Sequence, residues 1–237
     1  MNFQFILKLK AMEKKVVYLL ALIFLMGFFY GCDDYGDEKE NLLGTWNLNS
    51  NNALSVTWES SENISVGGIS MPTVAVAALM AEYGNKVLQE EMRSITLKAD
   101  DNIEVNYRAE SGGFTTSVYG KYKVISKHDL LYYPDVDKLL KDLDGIDNAT
   151  MNELKLLANL GIPVKYSLTG SSLNEAYFYL DTNTIKAMKI LFKALEASIE
   201  GDTAEDLVIK AVLKALPDAL DKTSKIEIGL GFYKMNN

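Results

Sequence analysis

Between Ile95 and Val124, apolar residues recur at every second position across two tight turns. Ile95 and Leu97 alternate with Thr96 and Lys98, and Asp100-Asp101-Asn102 turns the chain. Ile103, Val105, Tyr107 and Ala109 alternate with Glu104, Asn106 and Arg108, and Ser111-Gly112-Gly113 turns it again. A period of two places such residues on one face of a strand, and turns this short pair neighbouring strands antiparallel. The next segment is expected to put Phe114, Thr116, Val118, Gly120, Tyr122 and Val124 on a single face.

The pattern extends in both directions. Gly44, Trp46 and Leu48 share a face, Asn49–Asn52 is a turn cluster, and Leu54, Val56 and Trp58 alternate after it, which predicts a first hairpin. Leu130–Tyr133, Val164–Thr169, Leu173–Leu180 and Ile226–Phe232 supply four more strands. A meander of this many hairpins tends to close on itself, because closure removes the exposed edges. The expected fold class is therefore mainly β with inserted helices (α+β), an antiparallel up-and-down barrel of about eight or nine strands, with a two-sheet sandwich as the other arrangement.

Helical spacing interrupts the strands at three points. Pro72 opens a helix whose stripe is Val76, Met80, Tyr83 and Val87. Val136, Leu139, Leu140 and Leu143 line a short helix stopped by Gly145; Thr150 and Glu153 box another, ended by Gly161 and Pro163. A helix over about Asn183–Glu200 turns Ile185, Met188, Phe192, Leu195 and Ile199 inward. Asp202 and Glu205 box the last helix, which Pro217 is expected to kink or end.

The N-terminus has a different character. Lys14-Lys15 precede Val16–Tyr30, an uncharged run shorter than the ~20 apolar residues of a membrane span and suited to a secretory leader. Residues 1–31 are read as that leader, with Met12 as a candidate true start. Cys32 is the single cysteine of the chain. Its placement after Gly31 resembles a bacterial lipoprotein box, although Phe29 and Tyr30 stand where that box has Leu and a small residue. The resemblance implies a lipidated Cys32 at the mature N-terminus and a protein held to a membrane through that lipid. Asp33–Asn41 is charged and poor in apolar residues, so residues 32–41 are read as an acidic tether and 42–237 as the folded domain. Asp33, Asp34, Asp37 and Glu38 resemble the acidic outer-surface export signal of Bacteroidetes lipoproteins. An outer-membrane location follows, cell-surface exposed or periplasm-facing.

The 237 residues carry a formal charge of −8, and the leader contributes Lys8, Lys10, Lys14 and Lys15 against Glu13 alone, so the remainder is more acidic still. That balance excludes nucleic acid as a natural partner. One cysteine allows no intramolecular disulfide.

Two short motifs resemble a known fold. Leu43-Gly44-Thr45-Trp46 is similar to the G-x-W opening of lipocalin and calycin barrels, and Ile228–Lys234 (IGLGFYK) resembles the last strand of the lipocalin-like lipoproteins of Bacteroidetes, a family without an assigned function. The resemblance covers Leu42–Asn237 in layout and implies a calycin-type barrel closed at one end by its tryptophan.

Chemical motifs are sparse. His128 is the only histidine and lies in a polar turn, so no catalytic residue is assigned, and a hydrolase is the least favoured reading. Asp135, Asp137, Asp142, Asp144 and Asp147 do not match the calcium-loop spacing; Asp135 fits a helix N-cap, and neither a metal nor a cofactor is expected. Asp202-Thr203-Ala204 resembles a short Bacteroidetes O-glycosylation sequence, implying a glycan on Thr203. Of thirteen tyrosines, eight lie on candidate strands. Inward-facing phenols combine apolar area with one hydrogen-bonding group, so Trp58, Tyr107 and Tyr122 are expected to line a barrel interior. The function expected is a lipid-anchored barrel that binds a small amphipathic or glycan-like ligand or an envelope protein. The alternative is a structural or assembly lipoprotein with a filled barrel and no ligand.

Overall fold

The computed structural model describes residues 36–66, 69–109, 111–139, 148–198 and 204–234. Its strands are β1 (Gly44–Leu48), β2 (Leu54–Ser60), β3 (Ile64–Val66), β4 (Ile69–Met71), β5 (Met92–Leu97), β6 (Asn102–Arg108), β7 (Phe114–Val124), β8 (Asp129–Pro134), β9 (Ile162–Thr169), β10 (Glu175–Leu180) and β11 (Thr223–Tyr233). Its helices are α1 (Gly36–Leu42), α2 (Thr73–Glu91), α3 (Val136–Leu139), α4 (Asn148–Leu160), α5 (Thr182–Ala187), α6 (Lys189–Ser198) and α7 (Ala204–Asp221).

Nine strands form one antiparallel sheet in the order β1-β5-β6-β7-β8-β9-β10-β11-β2, and β1 also pairs with β11. That last pairing closes an eight-stranded barrel and leaves β2 as an extra strand. β3 and β4 make a separate small hairpin, which the sequence reading did not contain.

The expected first hairpin is not there. β1 and β2 run the same way along one edge of β11, Leu48 opposite Phe232 and Leu54 opposite Leu230. The segment between them bulges out of an otherwise continuous strand. Gly231 holds both ends of the bulge: Asn49 N donates to its carbonyl at 3.0 Å, and its own N donates to Ala53 O at 2.7 Å.

A second correction concerns β7. Its inward face runs through Tyr122 and Val124 as expected, but Phe114, Thr116 and Val118 point outward. Ile103 pairs with Gly120 and Glu104 with Val118, so Tyr119 is an extra residue in the ladder and the alternation reverses there. Gly120 follows at φ 152°, with Tyr133 O and Pro134 Cα where a Cβ would stand. Only glycine fits that close approach.

The barrel has two unlike ends. The β5–β6, β7–β8 and β9–β10 turns and α1 share one end; the β6–β7 turn and the longer connections carrying α2, α3, α4 and α5–α7 share the other. At the turn end α1 is fixed to the barrel where the tether was expected to reach Asn41. Leu42 is fully buried, Trp46 Nε1 donates to its carbonyl at 2.7 Å, and Lys39 Nζ reaches Ala99 O at 3.0 Å and Asp101 Oδ1 at 2.5 Å.

At the helical end α2 lies along β2. Its buried stripe is Thr73, Val76, Ala77, Gly84, Val87, Leu88 and Glu91, with Tyr83 on the exposed side. The edge of β2 that faces away from β11 is met by side chains rather than by a strand. Asn85 bonds both backbone groups of Leu54, and Thr73 Oγ1 donates to Trp58 O at 3.1 Å. Thr182 does the same for Ile226 beyond the end of β10. The expected long helix after Asn183 is two helices broken at Met188, and Ile185, Met188 and Phe192 are buried as expected. α7 continues through Pro217 to Asp221. One apolar cluster joins barrel and helices, from Trp46 and Leu97 through Phe178 and Ile228 to Phe192 and Leu213.

Candidate functional site

The inward aromatic residues come from different strands, and the polar atoms of Trp58, Tyr122, Tyr132 and Tyr166 are engaged within the protein. Tyr122 OH donates to Lys98 O at 3.0 Å, Tyr132 OH to Tyr119 O at 2.5 Å, and Tyr166 OH to Ser126 O at 3.1 Å. Trp58 Nε1 donates to Thr223 Oγ1 at 2.8 Å, and that hydroxyl donates on to Ala219 O at 2.9 Å. Among the described residues no buried side-chain nitrogen or oxygen lacks a partner. Desolvation pushes Tyr122 and Tyr166 up to about 12, with Asp101 and Glu38 respectively adding to it, and drives Tyr132 further in the same direction.

The three expected lining residues are divided between the two ends of the barrel. Tyr122 is buried at the turn end, its ring 5.9 Å below Lys39 Nζ. Trp58 is buried at the helical end, opposite Ile226. Tyr107 is half-buried near the β6–β7 turn and meets Tyr119 edge-on at 5.3 Å. Its hydroxyl makes no hydrogen bond among the described residues, which sets it apart from the other two.

Other expected positions are scattered. Asp37 and Glu38 occupy the first turn of α1, where a helix N-terminus favours negative charge. Cys32, Asp33, Asp34, Thr203, Asp142, Asp144 and Asp147 lie outside the described residues. Asp135 Oδ1 accepts from Lys138 N at 3.1 Å, the N-cap role expected of it, and Asp137 pairs with Lys155 at 2.7 Å. His128 is exposed in the β7–β8 turn.

The outer wall carries a cluster that sequence reasoning did not assemble. Tyr177 and Tyr179 stack at 5.3 Å, and the Tyr177 ring lies across Gly229 with its hydroxyl 3.1 Å from Glu227 Oε1. Beside them Lys165 Nζ meets Asp129 Oδ1 at 2.6 Å, and Ser126 Oγ meets the other carboxylate oxygen at 2.5 Å. Burial works to raise Asp129, but these two hydrogen bonds and the lysine charge outweigh it and hold the carboxyl below its ordinary value. A carboxylate held ionised beside its cation is an ion pair, not a poised general acid. The period-two pattern carried the signal for this cluster, since Tyr177 and Tyr179 lie two apart on one strand and Gly229 and Gly231 two apart on the next.

Among the described residues, no group of three or more His, Cys, Asp or Glu side chains is placed to hold a metal ion, and no helix is long and apolar enough to cross a membrane. Comparison with protein-family models, curated proteins and solved structures finds no match to this chain.

Proposed function

We propose that this chain is a lipid-anchored envelope protein of lipocalin-like type whose barrel acts as a rigid scaffold, with a protein partner held on its outside. One observation carries the reading: the indole and phenol groups of Trp46, Trp58, Tyr122, Tyr132 and Tyr166 are all hydrogen-bonded to the protein's own atoms. A small-molecule cup keeps a few convergent polar groups for its ligand. Here those groups are committed to holding the wall together. Lipidation at Cys32 supplies the anchor, and Asp33, Asp34, Asp37 and Glu38 supply the sorting signal.

Fractionation and intact-mass measurement in a native host test the anchor. Acylated protein in the membrane fraction, moved by Cys32→Ala without loss of fold, is the expected result. An unacylated N-terminal peptide would sink it. For the partner, chemical crosslinking on intact cells is expected to recover a specific envelope protein, whereas a stoichiometric small molecule released from the purified barrel would overturn the scaffold reading. The small-ligand alternative is favoured by Tyr107, which is half-buried near the β6–β7 turn and whose hydroxyl makes no hydrogen bond among the described residues.

A further inference from the structure

The turn end of the barrel carries exposed apolar side chains and is also the end from which the N-terminal segment leaves. Leu173 is 40 % exposed at the β9–β10 turn and holds φ 50°, a conformation that a branched side chain rarely adopts. Tyr233 is 42 % exposed and pairs with Glu175 just beyond that turn. Lys234 N donates to Asn174 O at 2.7 Å, and its Nζ lies 5.0 Å from the Trp46 ring, so both segments meet near the plug made by α1.

The chain between Cys32 and α1 is short. Four residues from Cys32 to Gly36 extend at most about 14 Å. The two 11-residue strands, β7 and β11, rise about 25 Å along the barrel at a tilt near 40°. The helical layer adds roughly another 10 Å. An acyl group on Cys32 therefore stays within reach of the turn end and far short of the helical surface.

We propose that the turn end of the barrel is a lipid-facing surface, seated on the headgroup layer through Leu173 and Tyr233, while the helical end points away from the membrane. This rests on the lipidation of Cys32. Asp37, Glu40, Asp100 and Asp101 share this end with Lys127 and Lys234, so the seat does not depend on net charge attraction; the acyl chains hold the protein down and the apolar pair makes the contact. The helical end then presents Val74, Leu79 and Tyr83 of α2 and Leu156 of α4, all exposed, away from the bilayer.

The test uses full-length lipidated protein in phosphatidylethanolamine–phosphatidylglycerol vesicles that contain a headgroup nitroxide. Thioether-linked Cys32 does not react with a maleimide, so Ser172→Cys and Ser111→Cys each offer one thiol, in exposed turns at opposite ends. A fluorophore at position 172 is expected to be quenched several-fold more than one at position 111. Leu173→Gly, which suits the left-handed backbone and removes the apolar contact, is expected to lower quenching at 172 without loss of fold. Equal quenching, or stronger quenching at 111, on protein whose acyl mass is present overturns the orientation. Missing acyl mass instead removes the lipoprotein reading, and the orientation with it.

Discussion

The Asn85 side chain pairs with the Leu54 backbone as a neighbouring strand would: Leu54 N donates to Oδ1 at 2.8 Å, and Nδ2 donates to Leu54 O at 2.9 Å. A third bond, from Nδ2 to Ala81 O at 2.8 Å, fixes the amide within its own helix. One residue of α2 thus stands in for a strand at the side of the wall where β2 has left the barrel. Asn85→Ala is expected to destabilise the fold by about 2–3 kcal/mol, a Tm drop of roughly 5–10 °C, because two backbone groups lose their partners. Thermal unfolding followed by circular dichroism reads this directly. An unchanged Tm would mean that the Asn85 amide adds nothing to the hold of α2 on β2.

Thr223 relays between Trp58 and Ala219. Thr223→Val keeps the shape and strands a buried indole N–H, at an expected cost of about 1–3 kcal/mol. The same substitution made on Trp58→Phe should cost less, since no indole donor is left unpaired. Equal costs in the two backgrounds would show that the relay carries no coupling.

Glycines that meet backbone and glycines that meet side chains should differ. At Gly120 a Cβ would overlap the Tyr133 carbonyl oxygen at a φ of 152°, and neither atom can turn away. Gly120→Ala is expected to cost about 3 kcal/mol or more. At Gly229 the obstacle is the Tyr177 ring, which can rotate, so Gly229→Ala is expected to cost about 1–2 kcal/mol. Chemical denaturation ranks the two, and the reverse order would count against the bulge at Tyr119.

Alkaline pH separates the tyrosines. Tyr122, Tyr166 and Tyr177 are each pushed up to about 12, chiefly by desolvation, against an ordinary value of 10.0. A phenol whose folded value is raised contributes stability that is complete below pH 10 and lost as pH rises towards 12, because the unfolded chain releases its proton first. Tyrosinate absorbance should therefore rise in two phases, the second together with unfolding. A single phase near pH 10 with the fold intact would show that these phenols are open to water.

β1, β9 and β10 are legible because buried and less buried positions alternate along most of each strand. The misreadings share a cause: in each, a distant partner decides between two local geometries. Asn49–Asn52 has the composition of a turn whether the chain reverses or bulges, and Gly231, on the far side of the sequence, selects the bulge. The flip in β7 depends on Tyr132 and Tyr133 packing against Gly120, although a lone glycine inside a strand is itself a bulge signal. The interior aromatics were named correctly as strand residues. Their hydrogen-bond partners were not readable, because backbone carbonyls such as Lys98 O and Tyr119 O have no sequence signature.

β11 touches β10 along one edge and both β2 and β1 along the other, so the last strand in chain order closes the ring between β10 and the first strand. Until it is laid down, β1, β2 and β10 are open edges and no barrel exists. If the chain is exported unfolded, as the proposed leader implies, this ordering works as a safety catch: the wall cannot close while the chain is still threading. The delay has a hazard attached, since open edges invite pairing between molecules. A chain stopped before Thr223 should therefore aggregate rather than leave a smaller soluble barrel, and light scattering of that truncation during refolding would reveal which occurs.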